Sequence, residues 1–260
     1  MARQRVRLAA FRSERENLSP RCSRLRGSAR FAWAFVAAAC LAVSIAPPAT
    51  AESTDWTQNA IFAVLTHKGG FAAGKAHDHL VAAGSPTITL EWDASDPLAT
   101  RFELRAEVTK LRVDEDPLRS ELFPRLRDLG LLQQPFGSLT EAQRAEIREA
   151  MLSKKQLDAA AFPELSARLV EVSASASKLG AVDFTHRGTV ELTVHGTTIR
   201  RPFQARFDPA AGISPAILEA VGESTFTELG IKPYSAFLGA VKNLDRFHFY
   251  LRLELEAVAD

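Results

Sequence analysis

Apolar and polar residues alternate along several stretches of this chain. In 101–108 every even position is apolar and every odd position is charged. Near the C-terminus the same period of two places Phe247, Phe249 and Leu251 on one face. Because successive side chains of a strand point to opposite faces of a sheet, this pattern predicts β-strands with one apolar face each.

Further strands are expected along the rest of the chain, at 61–66, 79–83, 87–92, 165–173, 188–194, 203–207 and 216–225. The tripeptide His195-Gly196-Thr197 is typical of a tight turn between two of these strands. The alternation of 101–108 slips by one residue near Thr109, which indicates a β-bulge. The short Ser/Ala stretch at 173–177 is expected to be a connector. Strands at this spacing predict an all-β fold, an antiparallel barrel or sandwich of about eight strands.

One segment, at about 117–160, does not alternate. Thr140 is a suitable N-cap residue, and a narrow apolar stripe at helical spacing follows it. The stripe consists of Ala142, Ala145, Ile147, Met151 and Leu152. The pattern predicts a helical insertion between strands.

Residues 1–51 have the pattern of a secretory signal peptide. Nine arginines and two glutamates occupy 1–30, an apolar run of 16 residues follows at 31–46, and Ala49-Thr50-Ala51 ends the segment. The run is shorter than the ~20 residues that a bilayer-spanning helix requires. We therefore expect cleavage near Ala51 and a periplasmic or secreted product without a stable membrane span. The shortness of the apolar run disfavours an uncleaved membrane anchor. The position of Cys40 in the middle of this run disfavours a lipoprotein.

Loss of 1–51 changes the charge of the remaining chain, which we expect to be one domain at 52–260. Twenty-three basic and 29 acidic side chains remain, so the net charge falls from +1 to −6. An acidic domain lacks the basic face that nucleic acid requires, which argues against such a partner. Both cysteines, Cys22 and Cys40, leave with the signal segment, so no disulfide framework is expected.

The predicted inward faces are rich in phenylalanine, with 16 Phe in the chain against 2 Tyr. A barrel of about eight strands is either filled by its side chains or holds one small ligand. An apolar interior with few polar groups suits a hydrocarbon or isoprenoid tail. The residues expected to surround such a tail are Phe62, Val64, Phe102, Leu104, Leu192, Phe203, Phe207, Phe247, Phe249 and Leu251. The alternative is a fully packed core in an interaction domain, with the helical insertion as its partner surface.

Four segments of the chain resemble the YceI-like family, the lipocalin-like polyisoprenoid-binding proteins of the bacterial periplasm. They are Thr66–His79, Leu157–Leu165, Gly188–Phe203 and Phe226–Tyr234, and the resemblance covers most of 58–258. It implies an extended antiparallel barrel with a long apolar tunnel that holds an isoprenoid or a fatty-amide-like amphiphile, and it does not imply an enzyme. We expect the ligand to be an isoprenoid, a quinone, or an amphiphile of the fatty-acid or fatty-amide type. The 117–150 stretch is longer than the corresponding part of the family.

Histidines cluster at the start of the predicted domain, at His67, His77 and His79. Together with Tyr234 they are candidates for the polar mouth of the tunnel, because a pocket's few polar groups orient its ligand. The alternative is a metal site, in a stress protein or a metal-dependent hydrolase, because His-x-His is a common ligand spacing. His248 alternates with an inward face and is expected to be exposed.

No motif in the sequence indicates catalysis or a cofactor. The chain has no Gly-x-Ser-x-Gly nucleophile elbow, and its Gly69-Gly70 pair does not lead from a strand into a helix. We therefore expect a periplasmic binding or carrier protein for a lipid-like amphiphile, not an enzyme. The oligomeric state stays open, and a homodimer is compatible with everything above.

Overall fold

The structure is a computed structural model that describes residues 4–6, 60–71, 74, 76–92, 99–209 and 216–255. The predicted signal segment lies outside these residues apart from Gln4–Val6, so its cleavage stays a prediction. The strands are β1 (Gln4–Val6), β2 (Ala60–Gly69), β3 (His79–Ala83), β4 (Thr87–Trp92), β5 (Arg101–Glu107), β6 (Leu111–Val113), β7 (Glu164–Leu179), β8 (Val182–Val194), β9 (Thr197–Asp208), β10 (Ala216–Thr225), β11 (Ser235–Ala236) and β12 (Val241–Leu255).

Two α-helices lie between β6 and β7, where the sequence predicts the insertion. They are α1 (Asp116–Asp128) and α2 (Glu141–Leu152). Thr140 caps α2 as predicted: its side chain accepts a hydrogen bond from the backbone of Gln143, whose side chain accepts one from the backbone of Thr140. Short 3-10 turns occupy Val108–Lys110, Thr227–Leu229 and Phe237–Gly239.

The sheet is antiparallel throughout its described pairings and curls into a barrel. The strands β5, β7, β8, β9, β10, β12, β2 and β3 are hydrogen bonded in that order, with β1 and β4 beyond β5, β6 beyond β3, and β11 beside β12. The two ends of this series are joined by the chain itself, because β3 leads into β4 and β5 leads into β6. If β3 with β4, and β5 with β6, are each counted as one bent strand, eight strands surround the interior. The predicted antiparallel barrel is confirmed.

Two predicted details of the strands are wrong. The phase change near Thr109 is produced by the 3-10 turn Val108–Lys110, not by a bulge, and beyond it the chain pairs with β3 instead of β7. The stretch at 173–177 is part of the long strand β7, whose register with β8 shifts between Ala174 and Ser177. A strand that twists along its length can continue through small residues that look like a connector in the sequence.

The barrel has an apolar inside and, on one side, an apolar outside. Inner residues of β2 and β12, such as Phe62 and Phe249, belong to the core inside the barrel. The residues that alternate with them, such as Leu65 and Tyr250, pack outward against α1. The helix contributes Leu122, Leu126 and Leu129 to this outer core. Both faces of β2 are therefore buried.

A buried carboxylate helps to hold α1 on the barrel. Glu219 on β10 accepts a hydrogen bond of 2.7 Å from Nε of Arg125 on α1 and one of 2.8 Å from the hydroxyl of Tyr250 on β12. Burial raises the pKa of Tyr250, and the charge of Glu219 raises it further, so this hydroxyl stays a donor. The network connects one helix and two strands around a group that would be costly to leave unpaired.

The outer core gives a test of how far α1 supports the barrel. Leu126→Ala should lower the free energy of unfolding by about 2–4 kcal/mol, because this side chain is 1% exposed and its loss leaves a cavity. Leu238→Ala is the matched control, since Leu238 is fully exposed and its truncation should change stability by less than about 0.5 kcal/mol. Urea unfolding measures both, and equal effects would contradict the docking of α1.

Candidate ligand-binding site

A cavity of about 280 Å³ occupies one end of the barrel interior. It lies between the inner faces of β2, β3, β8 and β12, and α2 contributes Ile147, Ala150 and Met151 to its wall. Ligand pockets in proteins commonly measure ~300–1,000 Å³, so this volume suits a small ligand or part of a long one. The helical insertion thus borders the cavity, although no residue of α2 is buried.

A second cavity of about 80 Å³ lies further along the barrel. Its wall is formed by apolar side chains of β2, β4, β5, β7, β8, β9, β10 and β12, with Thr100 beside them. Phe62, Leu192 and Phe249 line both cavities. These three side chains therefore separate two parts of one apolar interior.

Glycines on the inner surface determine where the large rings lie. Gly222 on β10 pairs in register with Phe249 on β12, and a Cβ atom at Gly222 would collide with the ring of Phe249. Gly188 on β8 has the same relation to Phe203 on β9. Each ring packs against a glycine instead of meeting a side chain of similar size, so a larger residue at either glycine would displace the ring.

The predicted apolar residues lie on the inner side of the barrel. Those that line the cavities are Phe62, Val64, Phe102, Leu192, Phe203, Phe247, Phe249 and Leu251. Leu104 is completely buried in the inner core and Phe207 packs against that core, but neither lines a cavity. Contact with a ligand stays a prediction for the eight residues that line the cavities. For Leu104 and Phe207 it has no geometric support.

Polar groups line the larger cavity at several points. Of the four predicted mouth residues, His79 and Tyr234 are among them, and Tyr234 is partly exposed to solvent. The sequence did not single out Thr66 and Asn243, which also line the cavity. Thr66 follows Phe62 and Val64 at a spacing of two residues, which places all three on one face of a strand, and this spacing was the signal that could have found it.

A buried aspartate holds His79 in place. Asp114, which is 0% exposed, accepts hydrogen bonds from Nδ1 of His79 at 2.7 Å and from the backbone of Leu80 at 2.9 Å. The backbone nitrogen of Asp114 in turn donates to the carbonyl of Leu80 at 2.8 Å. Asp114 has a φ of 52°, a left-handed conformation that aspartate tolerates better than most residues. The imidazole ring of His79 is thus fixed between the strand and the cavity.

The other two predicted mouth histidines do not line the cavity, which corrects their predicted placement. His67 follows Thr66 on β2 and points to the outer face, where its Nε2 lies 2.7 Å from Nδ1 of His248. His248 is therefore half-buried and not exposed as predicted, because it pairs with a histidine 181 positions away. His77 precedes β3 and lies against Gly137, in the segment between the two helices.

The metal-site alternative requires His67, His77 and His79 to converge, and the structure separates them. His67 pairs with His248, His79 pairs with Asp114, and His77 lies beside Gly137. Within the described residues, no three His, Cys, Asp or Glu side chains are grouped so that they could hold a metal ion. The histidine spacing that suggested the site reflects three positions on different sides of the sheet.

The outer histidine pair is held neutral by its surroundings. Burial lowers the pKa of His248 to about 4, and the nearby His67 and Arg246 lower it further. Burial also lowers the pKa of His67, partly opposed by the charge of Asp78. Glu223 lies 3.2 Å from Nε2 of His248. A proton on either ring would have to enter a site built for uncharged imidazole.

Comparisons with known proteins give structural neighbours only, since no protein-family model and no curated protein sequence matches the chain. BcnA of Burkholderia cenocepacia is 8% identical with a TM-score of 0.49, over 75% of this chain and 94% of that one. A mutant CJ YceI protein with a monobromobimane guest is 6% identical with a TM-score of 0.40, over 68% and 85%. YceI structures are thus among those that this chain resembles.

A polyisoprenoid-binding domain from Saccharophagus degradans, implicated in plant cell wall breakdown, is a further neighbour. It is 6% identical with a TM-score of 0.36, over 77% of this chain and 97% of that one. In the part of the chain that the structure describes, neither helix has the length and apolarity needed to cross a lipid bilayer.

The neutral histidine pair predicts a loss of stability in mild acid. The pKa of His248 is about 4 in the folded chain and about 6.5 in the unfolded chain, so the unfolded chain binds more protons between these values. Stability should therefore be complete above about pH 6.5 and fall towards pH 4, by up to about 3 kcal/mol from this residue alone.

Urea unfolding across this pH range, in the wild type and in His248→Asn, measures the effect. Asparagine keeps a polar atom near the position of Nδ1 but does not titrate. The variant should therefore show a shallower decline in the free energy of unfolding than the wild type. The idea is wrong if the two curves run parallel, because the decline would then come from other groups.

Proposed function

We propose that this chain is a non-enzymatic binding protein that carries or sequesters a lipid-like amphiphile inside its barrel. The observation that carries the proposal is the cavity of about 280 Å³ with a mainly apolar wall, in a barrel whose side chains do not meet across this end. A fully packed interior would have favoured an interaction domain instead. The YceI-like motifs in the sequence point to the same class of ligand.

The distribution of polar groups favours a ligand with one polar end. His79, Thr66, Asn243 and Tyr234 all line the larger cavity, whereas the wall of the smaller cavity is apolar apart from Thr100. A tail that extends from the first cavity towards the second would leave its polar end among the first group. Burial of each methylene contributes about 0.8 kcal/mol, so a tail of ten carbons could supply several kcal/mol after the costs of ordering.

The constriction between the cavities sets the shape of the tail. Phe62, Leu192 and Phe249 would have to turn aside before a chain could pass from the larger to the smaller space. A thin, flexible isoprenoid or alkyl chain needs less movement of these side chains than a broad ring system does. We therefore propose a linear tail, with an isoprenoid, quinone or fatty amide as the ligand.

We also propose that the chain acts after export, in the periplasm or outside the cell. Support comes from the basic and apolar segments at 1–46 and from the small residues that end at Ala51. The absence of cysteine beyond Cys40 makes the domain indifferent to the redox state of that compartment.

A variant that fills the cavity tests the proposal. Val64 on β2 lines the larger cavity, and Val64→Phe should weaken binding of the fluorescent apolar probe N-phenyl-1-naphthylamine by at least about tenfold, because the ring takes up the space of the tail. Val170→Phe adds the same ring at an exposed position of β7 and should bind the probe as the wild type does. Fluorescence titration measures both affinities.

Native mass spectrometry of the wild type, purified after export, gives the second readout. We expect an added mass that organic solvent removes and that Val64→Phe lacks. Protein that carries no such mass, and that also ignores the probe, would remove the carrier proposal. Equal probe binding by Val64→Phe and Val170→Phe would place the probe outside the barrel.

A further inference from the structure

A residue that lines the larger cavity carries a buried hydroxyl without a partner. The Thr66 residue is 7% exposed, its Oγ1 makes no hydrogen bond within the described structure, and it lines the cavity. Buried polar groups are normally satisfied, so an unpaired one in a cavity-lining residue is a position at which a ligand can supply the partner. Thr66 also lies directly opposite His79 in the pairing of β2 with β3.

His79 lines the same cavity, and its Nε2 is the ring nitrogen that does not contact Asp114. Its Nδ1 lies 2.7 Å from the carboxylate of Asp114, which as an acceptor requires the ring hydrogen on that nitrogen. In the neutral ring this leaves Nε2 as an acceptor. The hydroxyl of Thr66 can donate or accept. Together the two residues suit a group that carries both a donor and an acceptor.

The residues that line the cavity disfavour an anionic group at this position. No lysine or arginine is found among the described residues that line it, and Glu146 on α2 is an acidic one. A carboxylate or phosphate placed beside Thr66 would lose its hydration without gaining a cation, which is unfavourable. An uncharged group pays a much smaller desolvation cost and can still satisfy Thr66.

We propose that Thr66 and His79 form a head-group site for an uncharged amphiphile, with a primary alcohol or a primary amide as the preferred head. This inference rests on the carrier function proposed above and specifies its ligand class. Asp114 is a positioning residue in this site, since it acts through His79. Asn243, which lines the cavity from β12, offers a further amide to the same head group.

A series of ligands that differ only in the head group tests the site. Dodecanol, dodecanamide and dodecanoate are titrated at neutral pH against bound N-phenyl-1-naphthylamine. The wild type should bind the alcohol and the amide at least about tenfold more tightly than the carboxylate, since a buried charge without a partner is costly. Thr66→Val should weaken binding of the alcohol about fivefold or more relative to its effect on binding of the probe.

Two further variants separate the hydroxyl from the shape of the side chain. Thr66→Ser keeps the hydroxyl and should retain the preference for the alcohol. Thr193→Val makes the same change on the outer face of β8, where the hydroxyl bonds to Thr198, and should not alter any ligand affinity. In the absence of ligand, Thr66→Val should unfold at an equal or higher urea concentration than the wild type, because it removes an unsatisfied buried group.

The outcomes distinguish this inference from the carrier function on which it rests. A wild type that binds neither the probe nor any dodecyl compound removes the carrier function. Tight binding of the dodecyl compounds with no preference against dodecanoate overturns the head-group site alone. The head-group site is also overturned if Thr66→Val prefers dodecanol over dodecanoate as strongly as the wild type does.

Discussion

The interior of this protein depends on the close crossing of two bends. The chain turns at Gly84 between β3 and β4, and at Val108–Lys110 between β5 and β6. A Cβ atom at Gly84 would collide with the backbone oxygen of Lys110, so the two bends touch backbone to backbone. This contact allows β4 and β5 to stay paired on one side while β3 and β6 pair on the other. Because both bends connect the two ends of the strand series, they hold those ends together around the interior.

The shape of the barrel interior depends on where large and small residues face each other. Phe203 pairs in register with both Gly188 and Gly222, and Phe249 pairs with Gly222 on its other side. The ring of Phe249 lines both cavities, so this pairing sets the position of a side chain that narrows the interior. The helix α2 then borders the end that those rings leave open.

Strand positions could be predicted because alternation is local, whereas the site depended on distant pairings. The bounds of β3, β4 and β10 could be predicted from the alternation and the turns that flank them. The start of α2 could be predicted because Thr140 caps the helix through a contact within its first turn. The partner of His248 lies 181 positions away and that of His79 lies 35 away. Burial of both faces of β2 needed α1 as a second partner. The unbroken apolar run of β2 from Ala60 to Leu65 indicates burial of both faces, since a half-buried strand would alternate.

Neighbouring residues of β2 lie on opposite faces of the sheet, and this separates the groups that line the cavity from the titratable groups on the outer face. Thr66 faces the cavity, whereas His67, the next residue, faces outward and pairs with His248. The outer face therefore holds groups whose charge state affects folding, and the inner face holds groups that a ligand would meet. Acid should act on the first set through the free energy of unfolding, while ligand chemistry acts on the second. Because one strand carries both, a substitution at Thr66 can change recognition without touching the histidine pair beside it.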